Sequence, residues 1–521
     1  MSAPGELFEE GLNHHRAGRL DEAEKLYRLA LETDANHADS LHLLGMISLE
    51  AGRLGESAEM IRRAIVLNPG AASYYANLGN VLQRQGLVRE AAESYLQALR
   101  IRSDLAEVHV NLGNVFLEAE QLEQAVTWYR SGLTLNPAMA GAERCMGDAL
   151  RRLGRLEEAL EAYERSLRLE PGSADAWHWA GKVLRELGDL EGALRCFRAA
   201  QAIEPKHPRA GFGEAMVLLL MRQFGVGWAK YEGRWESLDH GTPMREYAWP
   251  VWCGERLESG KVLLWPEQGV GDEIMFAGML RDAVETGNQV VLACDARLQG
   301  LMERSFPEVE VVADGVGVPE GIGAQLPIGS LPGLFRASAG AFEGVRGGYL
   351  VADPERRRVL RERYGDERRV VGVAWRSINV HTGVGRSIEL EVLAGLFEQA
   401  RVRWVCLQYG EVEELVAEAV AAGVELVMDD GVDQIVDLDG FAAQVAAMDL
   451  VVTIDNTTAH LAGALGVPVW LLLPFGPDWR WGAEGSGSVW YPGMRVFRQT
   501  RRGDWGSVVA EVAEALRVLL G

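Results

Sequence analysis

The chain has 521 residues, 48% of them hydrophobic and only 18 of them proline, enough folded material for roughly three domains of ordinary size. A formal net charge of −23 argues against a nucleic-acid backbone or an anionic membrane as the main partner, so any phosphate site must be a local pocket in a field that repels anions. The five cysteines (Cys145, Cys196, Cys253, Cys294, Cys406) lie far apart with no Cys-x-x-Cys spacing, which supports neither a disulfide framework nor a zinc site and fits a reducing compartment. The opening stretch "MSAPGELFEEGLNHHRAG" lacks the basic start and apolar core of a signal peptide. No apolar run approaches the ~20 residues that span a bilayer. The expectation is a soluble, cytoplasmic protein.

In chain order, the first 240 residues repeat one unit. Glycines recur every 34 residues at Gly11, Gly45, Gly79, Gly113, Gly147 and Gly181. Twelve residues beyond each stands a small residue: Ala23, Ser57, Ala91, Ala125, Ala159 and Ala193. Pro69, Pro137, Pro171 and Pro205 share a later phase. That period, with small residues at two helix–helix contacts and a proline closing the second helix, is the tetratricopeptide pattern. Six units occupy about 4–207, and a degenerate seventh, "AGFGEAMVLLLMRQFGVGWAKYEGRWE", places Gly227 at the alanine position. The array is assigned 1–241. Such solenoids bind peptides, and Asn77 and Asn111, at one phase of consecutive units, are candidate ligands for an extended backbone because an amide both donates and accepts. Equally, they are helix-surface residues, since Leu43 and Cys145 break the ladder.

A connector, 242–260, leads to short apolar runs alternating with helical stretches: 261–265, 289–294 and 309–313, then 370–375, 403–408, 424–428, 450–454 and 469–473. Continuous apolar strands with helices between them describe parallel sheets covered on both faces. The fold class expected is an α-solenoid followed by two Rossmann-like α/β lobes, 261–352 and 353–521, with the charged helix 353–369 between them. Ligands would bind in the cleft at the carboxyl ends of the strands.

The first strand runs into "PEQGVGDEIMF" (266–276). Gly269 and Gly271 permit a tight turn and let a ligand approach the backbone. Ile274 stands where the third glycine of a dinucleotide fingerprint belongs, and Asp295 alone does not rescue that reading. Asp272 is positioned to take a proton as a general base or to cap its helix, with Glu267 and Glu273 as nearby alternatives. In the second lobe, Asp455 ends a strand and Thr457, Thr458 and Ala459 open a helix, a natural seat for a diphosphate. His460 could donate to a phosphate oxygen or simply pack. Asp455 would orient the loop or accept from a ribose hydroxyl. Arg376 and Arg386, in "WRSINVHTGVGRSIEL", could neutralise a leaving diphosphate. Asp437 and Asp439 have the Asp-x-Asp spacing of a metal chelate, but Asp439 reads more simply as a helix cap and no metal is expected. Trp479, Trp481, Trp490 and Tyr491 could stack on a ligand ring or pack the lobes.

The array, together with "FGVGWAKYEGRWE", "PEQGVGDEIMF", "GRSIEL", "IDNTTAHLAGALGVPVWLLLPFGPDWRW" and "SVWYPGMRVFRQ", resembles bacterial tetratricopeptide-repeat glycosyltransferases along essentially the whole chain. The carboxyl half is similar to heptosyltransferase-like GT-B enzymes and, more distantly, to protein O-GlcNAc transferases. The resemblance implies a GT-B fold, an acceptor side in 261–352 and a nucleotide-sugar side in 353–521. It also implies inverting, metal-independent transfer without a cofactor. Asp272 matches the catalytic Asp; Thr457, Thr458 and His460 match positions around the donor diphosphate; Gln408 matches a cleft-facing Gln. Asn456 stands where the family more often has Thr, and Arg376 where a small residue is usual. The reaction implied is transfer of a sugar from a nucleotide donor to Ser or Thr of a polypeptide held by the repeats, with flagellin the first acceptor to consider. Two rival readings are an enzyme acting on a glycan or lipid-linked saccharide, and a non-catalytic scaffold with a nucleotide-binding relic.

Overall fold

A computed structural model of the chain describes residues 3–237, 242–345, 347–365, 367–377, 385–410, 413–421 and 423–521. Helix pairs open it, and the first helices of the six regular pairs start at Pro4, Ala38, Ala72, Ala106, Ala140 and Ala174, one 34-residue period apart. Gly11, Gly79, Gly113 and Gly147 face tyrosine rings on the second helix of their own pair, and Gly45 faces Ile61 there. A Cβ at Gly79 would lie 2.5 Å from Tyr95, and one at Gly113 would lie 2.6 Å from Tyr129. Each ring is fully buried, and its hydroxyl reaches back to the first helix: Tyr95 donates to Asn80 Oδ1 at 2.7 Å and Tyr129 to Asn114 Oδ1 at 2.7 Å. Burying a tyrosine with its hydroxyl bonded combines apolar area with a satisfied polar tip. Pro69, Pro137, Pro171 and Pro205 each follow two residues after a second helix ends. The first 230 residues or so are a tetratricopeptide solenoid.

Two compact units emerge, Met1–Val183 and Leu184–Gly521. The division falls inside the helix Ala174–Glu186, so the last regular repeat's second helix and the degenerate pair, Ala210–Leu220 and Phe224–Tyr231, belong with the sheets.

The second unit holds a four-stranded parallel sheet of β1 (Lys261–Trp265), β2 (Gln289–Cys294), β3 (Glu310–Ala313) and β4 (Ile322–Pro327), ordered β3-β2-β1-β4. A second parallel sheet follows: β5 (Arg369–Ala374), β6 (Val402–Cys406), β7 (Leu426–Val427), β8 (Leu450–Ile454), β9 (Val469–Leu473) and β10 (Met494–Arg498), ordered β10-β9-β8-β5-β6-β7. Strands β4 and β10 escape the apolar-run criterion. "IGAQLP" carries glycine, glutamine and proline, while "MRVFR" sets two arginines among apolar residues, as an edge strand can.

The degenerate repeat is part of this unit's core. Trp228 packs edge-on against Trp479 and Trp490, at 5.3 and 6.3 Å, and its indole N–H donates to the Arg336 carbonyl at 3.1 Å. Beyond it, Arg234 reaches from a 3-10 turn, Glu232–Glu236, to grip both oxygens of Glu267 at 2.7 and 3.0 Å, with both side chains fully buried. Among the described residues no helix is long and apolar enough to cross a membrane.

Candidate functional site

The carboxyl ends of β1, β5, β6 and β8 face a cavity of about 550 Å³ lined by residues from both sheets' connections. On the first side, β1 leaves Glu267 anchored on Arg234. Gln268 follows with φ of 61°, a left-handed conformation that a non-glycine residue holds only under constraint. Gly269 then caps the helix Val270–Ala277, and the Asp272 N–H donates to its carbonyl at 2.9 Å. Asp272 is therefore the third helical residue and not the cap.

The Asp272 side chain lines the cavity and is held by Arg480. Arg480 donates from Nε to Oδ1 at 2.9 Å and from Nη2 to the same oxygen, while its Nη1 bonds Asp478 Oδ1 at 2.6 Å. The guanidinium also lies 4.6 Å over the Trp479 ring. Burial pushes the Asp272 carboxyl above its usual range against the opposing pull of Arg480. Burial acts on Asp478 in the same sense, but Arg480 and its backbone N–H overcome it and hold that carboxyl low. Arg480 joins two carboxylates, and among the described residues both of its bonds to Asp272 fall on Oδ1, with none on Oδ2.

On the second side, Asp455 ends β8 and accepts from Arg386 Nη1 at 3.2 Å, and Arg386 Nη2 donates to Ser377 Oγ at 3.1 Å. Burial pushes the Asp455 carboxyl up, Asp478 adds to this, and Arg386 opposes it. Among the described residues, Arg386 Nε has no partner. Asn456 caps the helix Thr457–Ala464 by accepting from the Ala459 N–H at 3.2 Å. Its Nδ2 is buried and unpartnered. Thr457 and Tyr409 both line the cavity. Arg297, the third lining guanidinium, is gripped by Asp295 at 2.9 and 2.6 Å. Each guanidinium at the cavity is thus already paired with a carboxylate.

Several expected residues are placed elsewhere. Thr458 is fully buried and lies outside the lining, so of the two threonines only Thr457 faces the cavity. Gln408 is buried and commits its amide to the backbone: Oε1 accepts from the Trp375 and Arg376 N–H groups at 2.9 and 2.7 Å, and Nε2 donates to the Arg376 and Tyr409 carbonyls at 3.0 and 2.9 Å. It shapes the site without facing it. The Arg376 side chain is exposed and outside the lining, and the loop residues 378–384 lie outside the described residues. Glu267 is spent on Arg234, and Glu273 is buried with Oε2 accepting from the Asp295 N–H at 2.9 Å. The cap of the helix Leu438–Ala446 is Asp437, not Asp439, and accepts from the Gly440 N–H at 2.9 Å. Arg356 pairs with Asp437 and Arg304 with Asp439. The four aromatics of the carboxyl lobe are all buried and pack as core.

In the array, Asn77 is hydrogen-bonded to His42 Nε2 at 2.8 Å, and Asn111 donates to Asn80 Oδ1 at 2.9 Å. Both amides are part-buried within a polar network. Arg480, Tyr409 and Gln434 line the cavity without having been singled out from sequence. The one available signal was a charged residue between two tryptophans in "DWRW", since an arginine there must be paired or stacked.

A tetratricopeptide-repeat family model matches residues 8–72, 76–140 and 146–208. The amino-terminal array is a tetratricopeptide array. The chain is 34% identical over 328 residues to Protein FlbA of Caulobacter vibrioides, covering 59% of this chain and 54% of that protein. It thus spans about half the length of the curated relative it matches. Among solved structures, YrrB, described as a tetratricopeptide protein with an unusual peptide-binding site, is 26% identical over 35% of this chain and 95% of its own, with a TM-score of 0.32. MamA is 22% identical over 31% of this chain and 94% of its own, with a TM-score of 0.30. PilF of Pseudomonas aeruginosa is 22% identical over 39% of this chain and 92% of its own, with a TM-score of 0.36.

Proposed function

We propose that the second unit is a GT-B glycosyltransferase that moves a sugar from a nucleotide donor to a Ser or Thr hydroxyl of a polypeptide presented by the repeats. The observation that carries this reading is the pairing of Asp272 with Arg480, with one carboxylate oxygen left free among the described residues, in a cavity opposite the helix start at Thr457. In the proposed reaction the acceptor oxygen attacks the anomeric carbon, and the hydroxyl proton passes to Asp272 Oδ2. The bond to the diphosphate breaks, and the nucleotide leaves with the electron pair. Arg386, whose Nε has no partner among the described residues, and the helix start at Thr457 stabilise the departing charge. No metal or cofactor enters the scheme. Flagellin remains the first acceptor to test, on the resemblance of the sequence alone, and the setting proposed is the cytoplasm.

Calorimetric titration with UDP, GDP, ADP, CDP, dTDP and CMP tests the reading. One nucleotide is expected to bind, and Arg386→Ala to weaken it at least tenfold. Asp272→Asn should retain that binding while transfer to a polypeptide falls by about 10²–10⁴, the range of a lost general base. If none of the nucleotides binds at millimolar concentration, the enzyme reading fails and the scaffold reading replaces it.

A further inference from the structure

Asp272, Arg386, Thr457 and His460 mark the polar part of the cavity, beyond the ends of β1, β5 and β8. There His460 Nδ1 is 2.9 Å from the Tyr491 hydroxyl, and its Cδ2 lies 3.2 Å from where a Cβ on Gly271 would stand. The lining contributed by the connection after β7 has another character. Ile435, Leu438 and Phe441 are apolar, and Gln434 stands next to Ile435 in the same connection.

The orientation of the Gln434 amide follows from its partners. Its Nε2 lies 3.1 Å from the carbonyl of Cys406, the last residue of β6, and 3.1 Å from Gln444 Oε1. A backbone carbonyl only accepts, so the atom facing Cys406 must be the nitrogen. Gln444 is fixed independently. Tyr364 gives its hydrogen to Asp429, which is ion-paired with Arg363 at 2.7 Å. Tyr364 therefore accepts from Gln444 Nε2 at 3.0 Å, and Gln444 Oε1 is turned toward Gln434. Both hydrogens of Gln434 are spent inward, on a strand end and on a fully buried side chain. Among the described residues Oε1 has no partner, and the half-buried side chain keeps it for the cavity. The backbone beside it is spent as well. The Ile435 and Val436 N–H groups donate to Asp433 Oδ1 at 2.9 and 2.8 Å, the Asp437 N–H donates to the Asp433 carbonyl at 3.0 Å, and the Ile435 carbonyl accepts from Arg297 Nη1 at 2.9 Å.

We infer that Gln434 Oε1 accepts a hydrogen from the edge of a nucleobase and so limits which bases the cavity takes. In the sheet, β5 separates β8 from β6. The helix start after β8 and the Gln434 anchor at the end of β6 are thus two strand spacings apart, about 10 Å, a gap that a ribose bridges between a diphosphate and its base. A base has apolar faces, which suit Ile435, Leu438 and Phe441, and a hydrogen-bearing edge, which suits an oxygen that only accepts. A phosphate, itself only an acceptor, is repelled there. Because its nitrogen is held twice, the amide does not turn to offer a hydrogen, and a base edge that sets a bare nitrogen against Oε1 is refused. The assignment to a base rests on the nucleotide-sugar reading; the orientation of the amide does not.

Titration of the full chain and of Gln434→Met with UDP, GDP, ADP and CDP beside pyrophosphate separates the base from the rest of the ligand. The nucleotide that binds the wild-type chain should bind the variant roughly five- to tenfold more weakly, the worth of one hydrogen bond, with pyrophosphate unchanged. Undiminished nucleotide binding overturns the inference, and so does an equal loss for pyrophosphate, which places the effect on the phosphates. A second measurement uses the wild-type chain and does not depend on the folding of the variant. With glutamine side chains labelled in ¹³C and ¹⁵N, and Gln434→Asn identifying the resonances, both Gln434 Nε2 hydrogens should exchange slowly with solvent. Adding the nucleotide, but not pyrophosphate, should shift the Gln434 carboxamide carbon. Hydrogens that exchange as fast as those of an exposed glutamine overturn the inference, as does a carbon that the bound nucleotide leaves unmoved. If no nucleotide binds the wild-type chain, the nucleotide-sugar reading fails and takes the base assignment with it, while the exchange rates still decide the orientation.

Discussion

Asp272 and Glu273 are neighbours on one helix, yet their carboxyls meet different surroundings. Asp272 faces the cavity and Arg480, whereas Glu273 is buried at the end of β2, accepting one backbone N–H from Asp295. Burial, with Asp295, Asp314 and Asp272 adding to it and that N–H opposing, pushes Glu273 up to about 7. Cys294, whose thiol burial pushes up with Glu273, Asp295, Glu303 and Asp314 adding to it, and the Arg297 guanidinium are also within its electrostatic reach. Because the folded value is above the ordinary 4.5, the protonated form stabilises the fold. That stability is complete below 4.5 and is lost as pH rises through 7, a difference of roughly 3 kcal/mol. Glu273→Gln should abolish this component, so that the gap in unfolding free energy between variant and wild type widens from about pH 5 to about pH 8 in urea titrations. An unchanged gap would mean that Glu273 is ionised in the native state. At this scale the sequence was only partly legible. Residue types at a helix start announce polar chemistry, and Asp272, Arg386, Asp455, Asn456, Thr457 and His460 do converge. Which of two adjacent threonines faces the cavity is a matter of 100° of helix rotation, set by packing that the pattern does not carry. Gln408 illustrates the same gap: its strand-end place was visible, but its four backbone bonds were not.

Helix pairs were the most legible elements, because their signal repeats. The glycines stood out, while their partners at Tyr95, Tyr129 and Tyr163 did not, although they keep the same period. This contact is close enough to be sensitive. Gly113→Ala would drive a methyl into the Tyr129 ring and should cost about 1–3 kcal/mol. Gly141→Ala is the control, since nothing lies within 4 Å of a Cβ there, and replacing glycine inside a helix should add about 0.5–1 kcal/mol. Thermal melts of the two variants should therefore move in opposite directions. Two downward shifts would show that backbone freedom, and not ring contact, selects glycine. Strands were legible where the apolar run is nearly unbroken, at the edges β3 and β7 as well as in the sheet interiors, and illegible at β4 and β10, where glycine, glutamine and proline or two arginines interrupt it.

Across the whole molecule, periodicity assigned the degenerate repeat to the array, and packing assigns it to the sheets. The reason is the conversion of a repeat surface into core: Trp228 and Tyr231 meet Trp479, and Arg234 neutralises Glu267 in the interior. A fragment of residues 184–521 should melt cooperatively. One of 242–521 should not, because it strips these rings of cover and strands the Glu267 carboxylate, a loss of about 3–5 kcal/mol from the ion pair alone. Equal cooperativity in the two fragments would mean that the sheets hold without the repeat.

One close approach bears on which substitutions the carboxyl lobe can take singly. A Cβ at Gly463 would lie 2.5 Å from the Tyr491 ring, so a side chain at 463 and that ring cannot both keep their places. Each position limits the other: a smaller residue at 491 makes room for a side chain at 463, and glycine at 463 is what lets the ring sit where it does.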